Sequence, residues 1–273
     1  MRENKVKSGN GGRRALLALG GAGVVAAVAG VVFAYGRLRD VWLEQCVVTD
    51  AASQVSITDG RMVRADVIAY EFGLKNGANL ALIDFDERRR AVLKKIPNIR
   101  DITVSRRLPN RVEIAVEERV PFVRLGVRGQ SGDSGRVADR DGVVFISSSG
   151  TQTLPTIREP SAPGTQKGHA LSGRALAALR IIETCREQFP ALGVVAADVS
   201  KPDYITVVLA NDYSEAKIAW EGMDDPTEAT MDGLLERLRN LSRAYTSRVD
   251  NSIRVWNATQ PGVTYGNTQK GAL

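Results

Sequence analysis

The sequence is poor in the side chains that enzymes most often use for catalysis. It has one histidine, His169, and two cysteines, Cys46 and Cys185, among 273 residues. A single histidine excludes sites with several histidine ligands and leaves only a weak candidate for a serine–histidine pair. The cysteines lack the local spacing that is typical of zinc sites. We therefore expect no metal, no other cofactor, no small-molecule substrate and no enzymatic activity.

Aromatic residues are also scarce, at 5% of the chain, which argues against a surface that stacks on single-stranded nucleic acid. The formal net charge of +6 is concentrated at one end. Residues 1–14 contain five Lys or Arg side chains against one Glu. Because the basic excess is an N-terminal cluster and not a groove, we expect no nucleic-acid partner.

A long apolar run follows this basic cluster. Residues 15–35 form a run of 21 residues without a charge. As a helix, this run would be roughly 31 Å long, which is close to the thickness of a bilayer core. The run has no polar face, unlike a helix of a soluble domain. The basic residues that precede it place residues 1–14 in the cytoplasm by the positive-inside rule. We predict one transmembrane helix over 15–35, with the bulk of the chain beyond the membrane.

A cleaved signal peptide is the alternative interpretation of this run. Ala27-Val28-Ala29 is typical of a signal-peptidase site, and Arg13-Arg14 resembles part of a twin-arginine signal. The run continues past that site through Phe33, which favours a retained anchor. Either interpretation exports the remaining residues, where one disulfide between Cys46 and Cys185 is possible. Two separate thiols are favoured, because the two cysteines fall in different predicted domains.

The first exported region is predicted to be a β-α-α-β-β unit over residues 50–119. Apolar residues at helical spacing predict helices over 62–72 and 86–95. Apolar and polar residues alternate over 102–106 and again over 112–117, which predicts a β-hairpin. The unit is therefore a three-stranded sheet with two helices.

The second exported region is predicted to be a mixed α/β domain with an antiparallel sheet over residues 120–258. Ser172 begins a predicted helix that runs to Phe189. Residues 147–170 are rich in Ser, Thr, Gly and Pro and are predicted to be irregular. Residues 252–257 are predicted to be the last strand, and residues 259–273 a flexible tail.

Several local motifs occur in a fixed order along the two regions. They are Gly77-Ala78-Asn79-Leu80 before the second helix, Val104-Ser105-Arg106-Arg107-Leu108-Pro109 in the hairpin, the stretch 112–121 ending in Glu118-Arg119-Val120-Pro121, the stretch 137–145 around Asp141-Gly142, and Leu154-Pro155. With the basic tail and the anchor, this order resembles the bacterial FtsQ/DivIB family of cell-division proteins. The resemblance is most complete over 55–155 and weaker beyond residue 190.

The resemblance implies an α+β protein in which a POTRA domain precedes the β domain of that family. It implies a non-enzymatic scaffold of the divisome, which links early and late cell-division proteins and helps to control septal peptidoglycan synthesis. Such a protein is a single-pass protein of the inner membrane and is found at the division septum. The implied partners are coiled-coil division proteins similar to FtsB and FtsL.

Partner binding in this family implies strand addition at the last edge strand of the β domain. An exposed edge offers unpaired backbone groups, while side chains set specificity. The residues of this sequence that correspond are Ile253, Arg254, Val255 and Trp256. Alternate members of this strand are equally well explained as core residues.

Two other classes of protein remain as alternatives. An exported cell-envelope enzyme with a cleaved signal peptide would need a nucleophile with its base, or a set of metal ligands. A POTRA-bearing transport component would continue into a large membrane domain, which the roughly 150 residues after Pro121 do not fit.

Overall fold

The computed structural model describes residues 11–58, 60–127, 135–147, 150–159 and 167–268, with side chains from residue 27 onward. The chain divides into two compact units. The first comprises the chain up to Thr58 together with Ala65–Arg88 and Thr103–Ala115, and the second comprises Asp59–Arg64, Arg89–Ile102 and Val116–Leu273.

The chain begins with a long helix, α1, over Gly11–Gln45. Among the residues that the structure describes, no helix combines the length and the hydropathy needed to cross a membrane. Of the predicted tail and anchor, residues 1–10 and the side chains of residues 11–26 lie outside the described part. The helix continues ten residues beyond Tyr35, the predicted end of the anchor.

The β-α-α-β-β order predicted for residues 50–119 is observed. Its strands form a sheet in the order β1-β3-β2, and β1 runs parallel to β3, with Val55 opposite Val112. A short helix precedes the first strand. The elements are α2 (Ala51–Gln54), β1 (Val55–Ile57), α3 (Ala65–Phe72), α4 (Phe85–Lys95), β2 (Ile99–Arg107) and β3 (Arg111–Glu118).

The first unit has a small aromatic core. Phe72 ends α3 and Phe85 begins α4, and their rings lie 6.1 Å apart between centroids. Both side chains are buried. Asp84 fixes the start of α4, because its Oδ1 accepts a hydrogen bond of 2.9 Å from the backbone N–H of Glu87.

The second unit contains one large sheet and two main helices. The strands lie in the order β12-β11-β10-β9-β8-β7-β4-β5-β6. Ser172 is the N-cap residue of α5, and Thr227 forms a capping box with Thr230 at the start of α6. The elements are β4 (Val123–Val127), β5 (Arg136–Ala138), β6 (Val144–Ile146), β7 (Thr156–Glu159), α5 (Gly173–Gln188), a 3₁₀ turn (Pro190–Leu192), β8 (Val194–Asp198), β9 (Tyr204–Leu209), β10 (Glu215–Ala219), α6 (Glu228–Ser247), β11 (Val255–Ala258) and β12 (Tyr265–Asn267).

This sheet differs from the prediction in three respects. It is mixed, because β4 pairs with β7, β7 with β8, and β10 with β11 in parallel, whereas we predicted an antiparallel sheet. Strand β7 lies within 147–170, which we predicted to be irregular. Strand β12 lies within 259–273, which we predicted to be flexible.

Helices α5 and α6 cover the buried side of this sheet. Helix α5 packs on β7 and β8, while α6 packs on β11. Alternate residues of β9, namely Ile205, Val207 and Leu209, are fully buried in the same apolar cluster as Leu234 and Leu238 of α6. Strands with one side toward helices bury every second residue, and this alternation made most of them predictable.

The chain segments that flank the first unit belong to the second. The carboxylate of Glu118 accepts hydrogen bonds from the backbone N–H groups of Arg61, Met62 and Val63 at 3.0, 2.8 and 2.7 Å. These bonds tie residues 60–64 to the end of β3. By its contacts the second unit thus includes residues 59–64 and 116–119, and the domain boundary between residues 119 and 120 stays a prediction.

Arg119 continues this connection. Its Nη1 lies 2.5 Å from Oδ2 of Asp139, and the two side chains are only 16% and 7% exposed. Asp139 also accepts a hydrogen bond of 2.8 Å from the backbone N–H of Val143, which closes the β5–β6 hairpin. The motif residues Arg119 and Asp139 are thus structural partners.

Candidate protein-binding edge

One end of the large sheet is formed by three strands, β10, β11 and β12. Strand β11 runs parallel to β10, with Trp256 opposite Ala216, and antiparallel to β12, with Trp256 opposite Gly266. The backbone continues this pairing on both sides of Arg254. The N–H of Glu215 donates to the carbonyl of Arg254 at 2.8 Å, and the N–H of Arg254 donates to the carbonyl of Asn267 at 2.9 Å.

The four predicted partner-binding residues therefore do not form the edge. Val255 and Trp256 are buried, at 7% and 3% exposure, Ile253 is half-buried and Arg254 is exposed. Strand β11 has a neighbour on each side, so its backbone has no open side for an added strand. The four residues lie in or just before β11, the strand next to the edge. The edge strand itself is β12.

Strand β12 presents exposed side chains next to an open side. Within the described residues, no strand pairs with its outer side. Val263 and Tyr265, two positions apart, are 49% and 56% exposed. The hydroxyl of Tyr265 accepts a hydrogen bond of 2.8 Å from Nδ2 of Asn257, which holds the ring beside β11. A partner strand would thus meet backbone groups together with two apolar side chains.

Gly266 allows β12 to lie close to the residues beneath it. A Cβ atom at this position would lie 2.6 Å from Cγ2 of Ile253 and 3.3 Å from Cζ3 of Trp256. The first distance is shorter than carbon atoms tolerate. Only glycine therefore fits here without a shift of β12 or of Ile253, which is a structural reason for a residue that the sequence pattern did not single out.

A polar network lies at the same end of the sheet, in the turn before β10. Asp212, in the turn before β10, accepts hydrogen bonds from the Ser214 N–H at 3.1 Å and from the Tyr245 hydroxyl at 3.0 Å. The Arg248 guanidinium lies 3.0 Å from its other oxygen. Burial alone would raise the pKa of Asp212, but these three groups outweigh it and lower the pKa below the ordinary value of 3.8. Asp212 is therefore ionised.

The residues considered for catalysis are not brought together. His169 is exposed, while Cys46 and Cys185 are both buried free thiols. Burial raises the pKa of the Cys185 thiol to about 12, so this group stays protonated and unreactive. In the described part of the chain, no group of three or more His, Cys, Asp and Glu side chains is placed to hold a metal ion.

Comparison with known proteins points to cell division. Residues 51–119 match the family model of the FtsQ-type POTRA domain. Over 218 residues the chain is 27% identical to the cell division protein FtsQ of Koribacter versatilis (strain Ellin345). The similar region covers 74% of this chain and 56% of that relative, so the chain matches a little over half of the relative's length.

Proposed function

We infer that this chain, which belongs to the FtsQ/DivIB family, acts in bacterial cell division by binding other proteins. The observation that carries this proposal is the FtsQ-type POTRA domain at residues 51–119, within a longer similarity to a cell division protein FtsQ. The role proposed for the chain is that of a non-enzymatic scaffold, which links early and late division proteins and helps to control septal peptidoglycan synthesis.

The partners proposed are coiled-coil division proteins similar to FtsB and FtsL. They would bind by adding a strand to the outer side of β12, next to the exposed Val263 and Tyr265. In this arrangement Ile253, Arg254, Val255 and Trp256 serve binding as the layer on which β12 rests. Arg254 is the exposed member of the four, which leaves it available for direct contact with a partner.

The location proposed is the inner membrane at the division septum. Residues 15–35 would cross the membrane once, with residues 1–14 in the cytoplasm and the residues after the anchor on the other side. The uncharged run and the five basic residues before it support this topology. The length of α1, which continues through the run to Gln45, is compatible with it.

The division role is tested by depleting the protein from dividing cells and by following a fluorescent fusion of the full chain. We expect the fusion at mid-cell and filamentous cells after depletion. A uniform envelope signal together with normal septation would show that the chain has another role.

The binding edge is tested by Tyr265→Lys. The side chain is exposed, so the fold should remain unchanged, while the added charge weakens capture of the FtsB- and FtsL-like proteins at least several-fold. Tyr70→Lys is the matched control, because Tyr70 is 81% exposed on α3, which belongs to the first unit. Equal capture by the two variants, with unchanged thermal unfolding, would contradict binding at this edge.

A further inference from the structure

The last turns of α1 carry a surface of exposed apolar residues. Tyr35, Leu38 and Trp42 are spaced three and four residues apart, so they lie along one face of the helix. They are 69%, 71% and 44% exposed. Leu82, from the loop before α4, lies beside them with 73% exposure and helps to line a cavity of about 970 Å³. We call these four residues the juxtamembrane surface.

The loop that carries Leu82 is fixed to the end of α1. Nδ2 of Asn79 donates a hydrogen bond of 2.9 Å to the carbonyl of Leu43, in the last turn of the helix. The N–H of Leu80 donates to the carbonyl of Cys46 at 2.9 Å, and the side chains of both residues are buried. Because helix and loop are joined in this way, the juxtamembrane surface is a built feature and not a chance exposure.

The composition of this surface is that of a membrane–water boundary. Trp and Tyr are enriched where an apolar ring meets lipid headgroups, and Lys or Arg side chains extend toward those headgroups. Here Arg37 and Arg39 are exposed among the apolar residues. A soluble surface has little reason to expose a tryptophan, a tyrosine and two leucines in one patch.

The position of the surface along the helix fits the same boundary. If the anchor ends at Tyr35, then Trp42 lies roughly 10 Å further along the helix axis. Side chains of a helix point back toward its N-terminus, which brings the indole closer to the membrane. The headgroup layer on each side of the hydrocarbon core is roughly 5–8 Å thick. With the anchor at residues 15–35, the apolar residues from Tyr35 to Trp42 start in that layer and reach its outer border.

We propose that the juxtamembrane surface, including Leu82, lies in the headgroup layer of the membrane and rests the first unit against the lipid. This inference depends on the proposed anchor at residues 15–35, and it adds a second lipid contact from a different part of the chain. The ligand is the lipid surface itself. A transmembrane helix of a partner is the competing occupant, which the following experiment separates.

The test uses the full chain in lipid nanodiscs with a polarity-sensitive fluorophore on single introduced cysteines. Leu82→Cys probes the surface, Val28→Cys probes the anchor, and Val249→Cys is the control, because Val249 is 98% exposed in the second unit. Cys46 and Cys185 are buried, and the labelled unsubstituted chain gives their background. The lipids carry a quencher either near the headgroup or deep in the acyl chain.

With the shallow quencher, we expect the label at position 82 to be quenched several-fold more than the label at position 249. With the deep quencher, we expect the label at position 28 to be quenched several-fold more than the label at position 249. Quenching at 28 without quenching at 82 overturns the inference while the anchor stands, and leaves a partner helix as the occupant. Absence of quenching at 28 overturns the anchor proposal, and the inference with it.

Discussion

The ring of Tyr245 meets the ring of Trp256 edge to face, with centroids 6.0 Å apart and ring planes at 75°. This contact joins α6 to β11 directly beneath the edge strand. The hydroxyl of Tyr245 donates to Asp212, so one side chain connects the apolar core to the polar network of the turn before β10. The end of the sheet that carries β12 therefore depends on the buried side chains of Tyr245 and Trp256.

Replacing Trp256 tests this dependence. Trp256→Ala removes a buried aromatic side chain, and we expect a loss of about 3–5 kcal/mol in the free energy of unfolding. Tyr265→Ala, on the exposed strand, should change it by less than about 1 kcal/mol. Denaturant unfolding of the two variants gives the comparison. Equal stability would mean that Trp256 is not a core residue.

Gly266 provides a test of the edge strand itself. In Gly266→Ala the new Cβ displaces β12 or Ile253, so we expect faster amide exchange over residues 255–258 and weaker partner capture. Gly233→Ala is the matched control, since a Cβ at this position in α6 meets its nearest neighbour at an ordinary 3.5 Å. That variant should be as stable as the parent or slightly more stable. Unchanged exchange in Gly266→Ala would show that β12 does not depend on glycine.

The pair of Arg119 and Asp139 should be costly to break. Asp139→Ala leaves the guanidinium buried without its carboxylate, for which we expect a loss of about 3–5 kcal/mol. Glu113→Ala breaks the exposed pair with Arg107 and should cost less than about 1 kcal/mol. Chemical denaturation of both variants and of the parent measures the difference. Similar losses in the two variants would show that burial of the first pair has no effect.

Asp212 should make the second unit sensitive to acid. The fold lowers its pKa, so it contributes stability above the unfolded value near 3.8 and loses that contribution as the pH falls through the folded pKa. We expect the melting temperature to fall more steeply between about pH 5 and about pH 3 in the parent than in Asp212→Asn. Tyr245→Phe removes one of the donors and should be intermediate. Parallel pH profiles would exclude Asp212 as the cause.

The sequence pattern predicted the elements that bury every second or every third to fourth residue. The hairpin of β2 and β3 and the helices α3 and α4 follow from such patterns. Strand β7 was not predicted, because Ile157 is its only fully buried residue and the residues on both sides of it are rich in loop-forming types. Its strand conformation comes from its neighbours β4 and β8.

The predicted partner-binding residues lie one strand away from β12, the outermost strand at this end of the sheet. The family resemblance pointed to Ile253, Arg254, Val255 and Trp256, which lie in β11 or just before it. The two side chains of β12, those of Tyr265 and Asn267, are exposed like those of a loop. No periodicity marks such a strand. The close approach of Gly266 to Ile253 is the feature that identifies it, and this contact exists only in three dimensions.

Helix α1 passes into the first unit without a flexible joint. A glycine- or serine-rich linker of a dozen residues would let the attached unit wander over roughly 20 Å. Instead, the hydrogen bond from Asn79 to the carbonyl of Leu43 joins the loop before α4 directly to the last turn of the helix. A rotation of the last turn of α1 about its own axis therefore carries the loop of Asn79 with it.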